Sequence, residues 1–366
     1  MPDTPNDGSE SLRVLLIAPS MEIVGGQSAQ AAFLLGLLTG QPGLELGFQP
    51  INPPLPRSLR FIHSIKYLRT IVNAILYYIA LVWRIPRFQL LHVFTPGLLS
   101  YYLWSVPALG LGKLFGKSVI LNYRDGRAKE HLDRWPGAAT TLRMADLIVS
   151  PSEYVVAVLA SYGIDARCIP NPIEPRRYTY KKRRPLRPIF LTNRGLEPVY
   201  NVGCVVRAFA VIQRRYPDAT LTVAHDGVSR AELEHLVRDI GLRNVNFLGS
   251  VPAARCPALY DAADIYMMSP NVDCMPASVL ECFASGLPVI TTAVGGIPYM
   301  VTHNQTGLLV PANDHEALAS CAAQLLADPQ LSEKLATNAR RELERYGPDA
   351  IRAQWIQTYR ELISRR

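Results

Sequence analysis

Two carboxylates, Asp273 and Glu281, stand on either side of Pro276 in the stretch SPNVDCMPASVLECFASGLPVITTAVGGIPYMVTHNQTGLLVP, residues 269–311. Ile265 to Met268 reads as a short buried strand, and Asn271, Asp273 and Pro276 punctuate the loop after it. Ser278 to Ser285 reads as a helix, with Val279, Leu280 and Phe283 on one side and Gly286 as its stop. Leu287 to Thr292 is a second apolar run, followed by Gly295-Gly296. A strand, a loop and a helix N-terminus aim backbone N–H groups at one point, which is a ready site for an anion. The chemistry on offer is the holding of a phosphate-bearing ligand between two carboxylates. Cys274, inside the loop, is read as a small loop residue rather than a reactive thiol.

The elements that must position this stretch alternate along the whole chain. Arg13 to Pro19 is a first strand, and the glycine turn Gly25-Gly26 opens the first helix, where a ligand can approach the backbone closely. Glu45–Gln49, Leu90–Phe94, Ser118–Asn122 and Leu147–Ser150 read as further strands. Ser152 is read as the cap of the helix after the last of these. Gly97–Phe115, with Pro107, Gly110 and Gly112, reads as a core helix rather than a membrane span. The segment PRRYTYKKRRPLRP within residues 174–188 reads as a solvated linker. A second alternating half then runs from the strand Ile189–Thr192 to three closing helices at 314–327, 329–343 and 348–363. Two successive strand–helix halves predict an α/β chain of two parallel-sheet, Rossmann-like domains with a ligand cleft between them.

Composition narrows the class. With 366 residues, 49% of them hydrophobic, the chain can build two cores and is not globally disordered. Met1 to Ser11 reads as a frayed polar segment rather than a signal peptide. Six scattered cysteines with no C-x-x-C pair point to a reduced, cytoplasmic protein and away from structural zinc. The net charge of +8 is uneven: residues 1–184 carry 21 Lys/Arg against 12 Asp/Glu, and residues 185–366 carry 17 against 18. No acid occurs between Glu45 and Asp125, a stretch holding Arg57, Arg60, Lys66, Arg69, Arg84, Arg87, Lys113, Lys117 and Arg124. Its apolar run Ile71–Trp83 is shorter than the ~20 residues a bilayer needs, so residues 57–87 read as a basic helix for an anionic membrane surface, or else as a core helix with a solvated rim. No interleaving of aromatic and basic residues supports nucleic acid as a partner.

These motifs together resemble the family 4 retaining glycosyltransferases of GT-B fold. Asp273, Pro276 and Glu281 fill the E-x7-E pattern with Asp for the first Glu, and Gly286-Leu-Pro-Val, Gly295-Gly296-Ile-Pro and Thr306-Gly-Leu-Leu-Val follow in register. Gly25-Gly26, Pro151-Ser152, Ile169-Pro170-Asn171 and Phe247-Leu-Gly249 also match, so the resemblance covers most of residues 12–363. It implies that Glu281 accepts the ribose hydroxyls of a nucleotide-sugar donor and that Asp273 serves the sugar. The N–H groups of Ala277, Ser278 and Val279 would meet sugar and distal phosphate, with Gly295 and Gly296 on the other side of the diphosphate and Gly249 and Val251 along the base. Arg194 matches the arginine that neutralises the leaving diphosphate, and with no D-x-D motif the reaction is expected to need no metal and no cofactor.

Four places depart from the family pattern. Tyr200-Asn201 stands where Lys-Gly is usual, Arg124 stands in a loop where a histidine is usual, and His225-Asp226-Gly227 and Tyr299 replace G-x-G and Glu. His131, close by in sequence, is read as a surface residue. The resemblance thus implies a disordered segment at 1–11, an acceptor domain at 12–173, a linker at 174–188, a nucleotide-sugar domain at 189–345 and a helix at 346–366 packing back on the first domain. The expected activity is retaining transfer of a sugar to a growing, lipid-linked glycan at the inner face of the cell membrane. A nucleotide-sugar 2-epimerase and a non-catalytic glycosyltransferase-like subunit are the alternatives.

Overall fold

The computed structural model describes residues 11–21, 26–53, 66–135 and 137–365. In chain order the strands and helices are β1 (Leu12–Ala18), α1 (Gly26–Leu38), β2 (Leu44–Pro50), α2 (Lys66–Arg84), β3 (Leu90–Thr95), α3 (Leu98–Ser100), α4 (Val106–Leu114), β4 (Ser118–Tyr123), α5 (Ala128–Arg134), α6 (Gly137–Leu142), β5 (Leu147–Ser150), α7 (Glu153–Ser161) and β6 (Arg167–Cys168). There follow β7 (Ile189–Asn193), α8 (Val202–Arg215), β8 (Thr220–Ala224), α9 (Arg230–Asp239), β9 (Val245–Gly249), α10 (Cys256–Ala262), β10 (Ile265–Met267), α11 (Ala277–Ser285), β11 (Val289–Thr292), β12 (Leu308–Val310), α12 (His315–Ala327), α13 (Pro329–Glu342) and α14 (Pro348–Ser364). The chain divides into two compact units, Met1–Pro172 with Pro348–Arg366, and Ile173–Gly347.

The first unit holds a six-stranded parallel sheet of order β2-β1-β3-β4-β5-β6. Its central strands are continuous apolar runs because helices cover both faces. The closing helix α14 belongs to this unit, burying Ile351, Trp355, Tyr359 and Leu362 against Val14, Leu90 and Ile120. The expected cap at Ser152 is different in detail. Ser152 starts α7, yet its hydroxyl makes no capping bond.

The second unit repeats the design, with the parallel order β12-β11-β10-β7-β8-β9. One core packs Phe190, Phe209 and Leu318 on one side of the sheet, and another packs Leu191, Tyr266, Val279 and Phe283 on the other. The segment expected to be a solvated linker is instead built into this unit. The Arg183 side chain is 5% exposed. It donates to the carbonyls of Tyr260 (2.7 Å), Ala263 (2.7 Å) and Ser285 (2.6 Å). The last carbonyls of α10 and α11 have no acceptor role inside their helices, and a guanidinium fork satisfies several at once. Gly286, at φ +67, closes α11 where an added Cβ would lie 2.7 Å from the Lys181 carbonyl.

Candidate active site

The site is built at the C-terminal end of β7, the strand where the order of the second sheet reverses, which is where parallel α/β sheets bind ligands. Asn193 ends that strand and Arg194 follows it, and the two neighbours serve different carboxylates. Asn193 donates to the Tyr260 hydroxyl (3.1 Å), and Tyr260 in turn donates to Glu281. Arg194 donates to Asp273.

Glu281 projects from the second turn of α11. The hydroxyl of Tyr178 lies beside the same carboxylate, its ring 5.9 Å from that of Tyr260 and nearly perpendicular to it. Burial pushes both phenols above their ordinary pKa, and the Glu281 charge pushes further the same way, so both remain O–H donors. The carboxylate is therefore held by tyrosines on one side. None of Tyr178, Tyr260 or Asn193 is signalled by sequence spacing. They come from a 3-10 turn at Pro175–Arg177, from α10 and from β7.

Asp273 and Arg194 form an ion pair whose side chains are 9% and 13% exposed. Burial raises the Asp273 carboxyl above its ordinary range, and Arg194 and the Cys274 N–H oppose that rise. Burial works against the Arg194 cation, but the Asp273 charge, together with Tyr200, Tyr266 and Tyr260, outweighs it and Arg194 stays protonated. The guanidinium also lies over the Tyr200 ring, 4.3 Å from its centre. Where a lysine was the usual residue, the chain has an aromatic plate under the arginine. One donor is left over: Arg194 Nε is buried with no acceptor among the described residues.

The glycine loop is stitched to the same carboxylate loop. Gly296 N–H donates to the Asp273 carbonyl (2.9 Å), and a Cβ on Gly295, at φ +53, would sit 2.2 Å from that oxygen. The N–H of Gly296, in the loop expected to approach a diphosphate, is thus spent on Asp273. At the start of α11, Val279 N–H donates to the Pro276 carbonyl (3.2 Å). Ala277 and Ser278 supply first-turn N–H groups, which have no acceptor within a helix. Gly249 takes φ +69 and its carbonyl accepts from His225 N–H (2.8 Å). Val251 packs against the core that holds Tyr178 and Tyr260. His225, where the family pattern has glycine, keeps a glycine-like φ of +109.

Three expected residues lie in the first unit. Gly25 falls outside the described residues, and Gly26 opens α1, with open space around an added Cβ. Arg124 donates to Asn171 and to Asn122 Oδ1 (3.3 Å), with its guanidinium 4.6 Å above Phe94. Arginine only donates, so the Asn122 amide N–H₂ faces His92 Nε2 (2.9 Å), and His92 donates from Nδ1 to the Tyr359 hydroxyl (2.7 Å). His131 is a correction. It is fully buried, 2.8 Å from the Tyr123 hydroxyl through Nδ1 and stacked on that ring, because α5 folds under the loop after β4.

The comparisons with known proteins fall on the same unit. Residues 180–342 match the family model described as glycosyl transferases group 1. The matched stretch carries Arg183, Arg194, Asp273, Glu281 and the Gly295-Gly296 loop. An exopolysaccharide phosphotransferase of Streptomyces coelicolor is 31% identical over 176 residues, 47% of this chain and 18% of that protein. A GDP-mannose-dependent alpha-(1-6)-phosphatidylinositol monomannoside mannosyltransferase of Mycolicibacterium smegmatis is 28% identical over 220 residues, 53% of this chain and 58% of its own length. The chain thus spans well under two thirds of these relatives. Among solved structures, HepE of Anabaena, determined in complex with UDP, superposes with a TM-score of 0.74 at 17% identity, covering 96% of this chain and all of that one. Two Rossmann-like parallel sheets and this likeness make the fold GT-B.

Proposed function

We propose that the protein is a retaining glycosyltransferase of family 4 that moves a sugar from a nucleotide-diphosphate donor to a growing, lipid-linked glycan in cell-surface polysaccharide synthesis, acting from the cytoplasmic side of the cell membrane. The observation that carries this reading is Glu281, set one turn into α11 and aligned by the hydroxyls of Tyr260 and Tyr178. That arrangement suits a pair of ribose hydroxyls: the tyrosines hold the carboxylate in place, and the ribose supplies two more donors to an ion that can accept about four. The donor's diphosphate would then lie toward the α11 N-terminus, where the first-turn N–H groups of Ala277 and Ser278 can donate to it and the Arg194 cation attracts it.

In this reading the departing diphosphate gathers charge as the glycosidic bond to it breaks, and pre-set donors stabilise that charge without reorganising. Asp273 holds Arg194 in place and stands where positive charge would develop on the sugar. The reaction as read from these residues uses neither a metal nor a cofactor. A nucleotide-release screen of UDP- and GDP-sugars, with and without a lipid extract as acceptor, tests the reading. Release that depends on acceptor, and that Glu281→Ala abolishes in a folded protein, supports it. Release equal in Glu281→Ala and wild type overturns it.

One observation favours a second reading, a glycosyltransferase-like subunit without activity of its own. Tyr200 replaces the usual lysine, and Asp273 already neutralises Arg194. No thermal stabilisation by any of a panel of nucleoside diphosphates would select it.

A further inference from the structure

Helix α2 has two apolar faces and only one of them is covered. Ala74, Tyr77, Leu81 and, just past the helix, Ile85 are buried, and the hydroxyls of Tyr77 and Tyr78 donate to the carbonyls of Trp104 and Leu103 (2.9 Å each). Leu68, Ile71, Ile75, Ile79 and Val82 recur at intervals of three and four and so share a stripe along the helix. They are 39%, 56%, 52%, 52% and 45% exposed, and Trp83 beside them is 71% exposed. The apolar stretch extends over 20 residues, Leu68–Arg87, longer than the thirteen read from sequence and long enough to cross a membrane. Its other face is locked into the core of the first unit, so the helix cannot leave the fold to do so.

We propose that α2 lies in the plane of an anionic lipid surface, with the Leu68–Val82 stripe and Trp83 inserted among the acyl chains. Charge selects this occupant over a second protein copy. No acid occurs from residue 46 to residue 124, and Arg69 and Arg87 are exposed at the two ends of the stripe. An aliphatic stripe with a tryptophan, set in a basic stretch of chain without acids, is what an anionic interface holds, through acyl burial and headgroup attraction together. Arg57 and Arg60 lie outside the described residues. The inference goes beyond the transfer reaction and does not depend on it.

Flotation of the full chain with vesicles of phosphatidylcholine and phosphatidylglycerol in equal parts, or of phosphatidylcholine alone, tests it. The expected result is binding to the mixed vesicles with a blue shift of tryptophan emission that Trp83→Phe removes. Ile75→Ser/Ile79→Ser should bind about tenfold more weakly or worse while unfolding at the wild-type temperature, since both positions are half exposed. Arg69→Glu/Arg87→Glu should also weaken binding. No binding by the wild type overturns the proposal, as does equal binding to neutral vesicles. So does binding unchanged in the serine variant, and so does a wild-type dimer that the serine variant splits without altering flotation. Vesicle binding is read without donor or acceptor, so its failure leaves the transfer reading standing, and the failure of nucleotide release leaves this one standing.

Discussion

Arg194 and Asp273 close on each other as a buried ion pair, 79 residues apart in the chain. The pairing converts two residues that each could bind substrate into one unit, and it ties the end of β7 to the loop after β10. Taking one partner away leaves an uncompensated charge in a low-dielectric site.

Arg194→Met alone is therefore expected to cost about 3 kcal/mol of stability, the range for breaking a buried pair. Arg194→Met with Asp273→Leu should cost less than the sum of the two single changes, because neither charge is then stranded. Urea unfolding of the three variants checks this, and strict additivity would refute the coupling. All three should lose sugar transfer.

Tyr260→Phe removes the hydroxyl that orients Glu281 but leaves the carboxylate in place. A hydrogen bond to a charged group is worth about 1.5–3 kcal/mol, so donor affinity should fall about tenfold or more. Calorimetric titration with the donor found in the screen reads the change. Glu281→Gln should lose more, and Tyr260→Phe with wild-type affinity would detach Tyr260 from the site.

Gly295→Ala places a methyl against the Asp273 carbonyl in a backbone conformation that L-residues avoid. A loss of about 2 kcal/mol or more is expected, since something must move. Gly26→Ala is the control, with open space around its Cβ and a change expected within about 0.5 kcal/mol. Thermal unfolding of the two variants side by side distinguishes a local clash from a general cost of replacing glycine.

His92 is fully buried, and burial, helped by the Arg124 charge, lowers its pKa to about 3. The folded protein keeps it neutral while the unfolded chain protonates it near 6.5, so the unfolded state binds more protons between these values. Stability from this group is whole above about pH 6.5 and falls as pH drops toward 3, by up to roughly 1.4 kcal/mol per pH unit. His92→Phe should lower stability at neutral pH, through lost bonds to Asn122 and Tyr359, yet flatten its slope between pH 4 and 6. An unchanged slope in chemical unfolding across that range would show that His92 carries none of it.

Much of this architecture is legible in local pattern. The apolar runs at 13–19, 90–94 and 118–122 become central parallel strands, and the helix expected at Ser278–Ser285 begins one residue earlier. Arg183 was not legible. A basic residue in a proline-rich, basic segment looks solvated, and only the folded positions of the α10 and α11 carbonyls make it a clamp. The burial of His131 escapes the sequence for a related reason. Its neighbours in sequence are charged, but α5 turns that one side chain inward onto Tyr123.

The sequence by itself determined which elements form, their order, and that Asp273 and Glu281 flank a helix start, because periodicity, turn residues and spacing act over a few residues of chain. The tertiary structure alone decided what each carboxylate touches. Tyr260 for Glu281, Arg194 for Asp273, and Tyr359 for His92 across 267 residues are choices made by packing. Once the sheets form, buried polar groups must find partners wherever the fold places them, and nothing in local spacing records which those are.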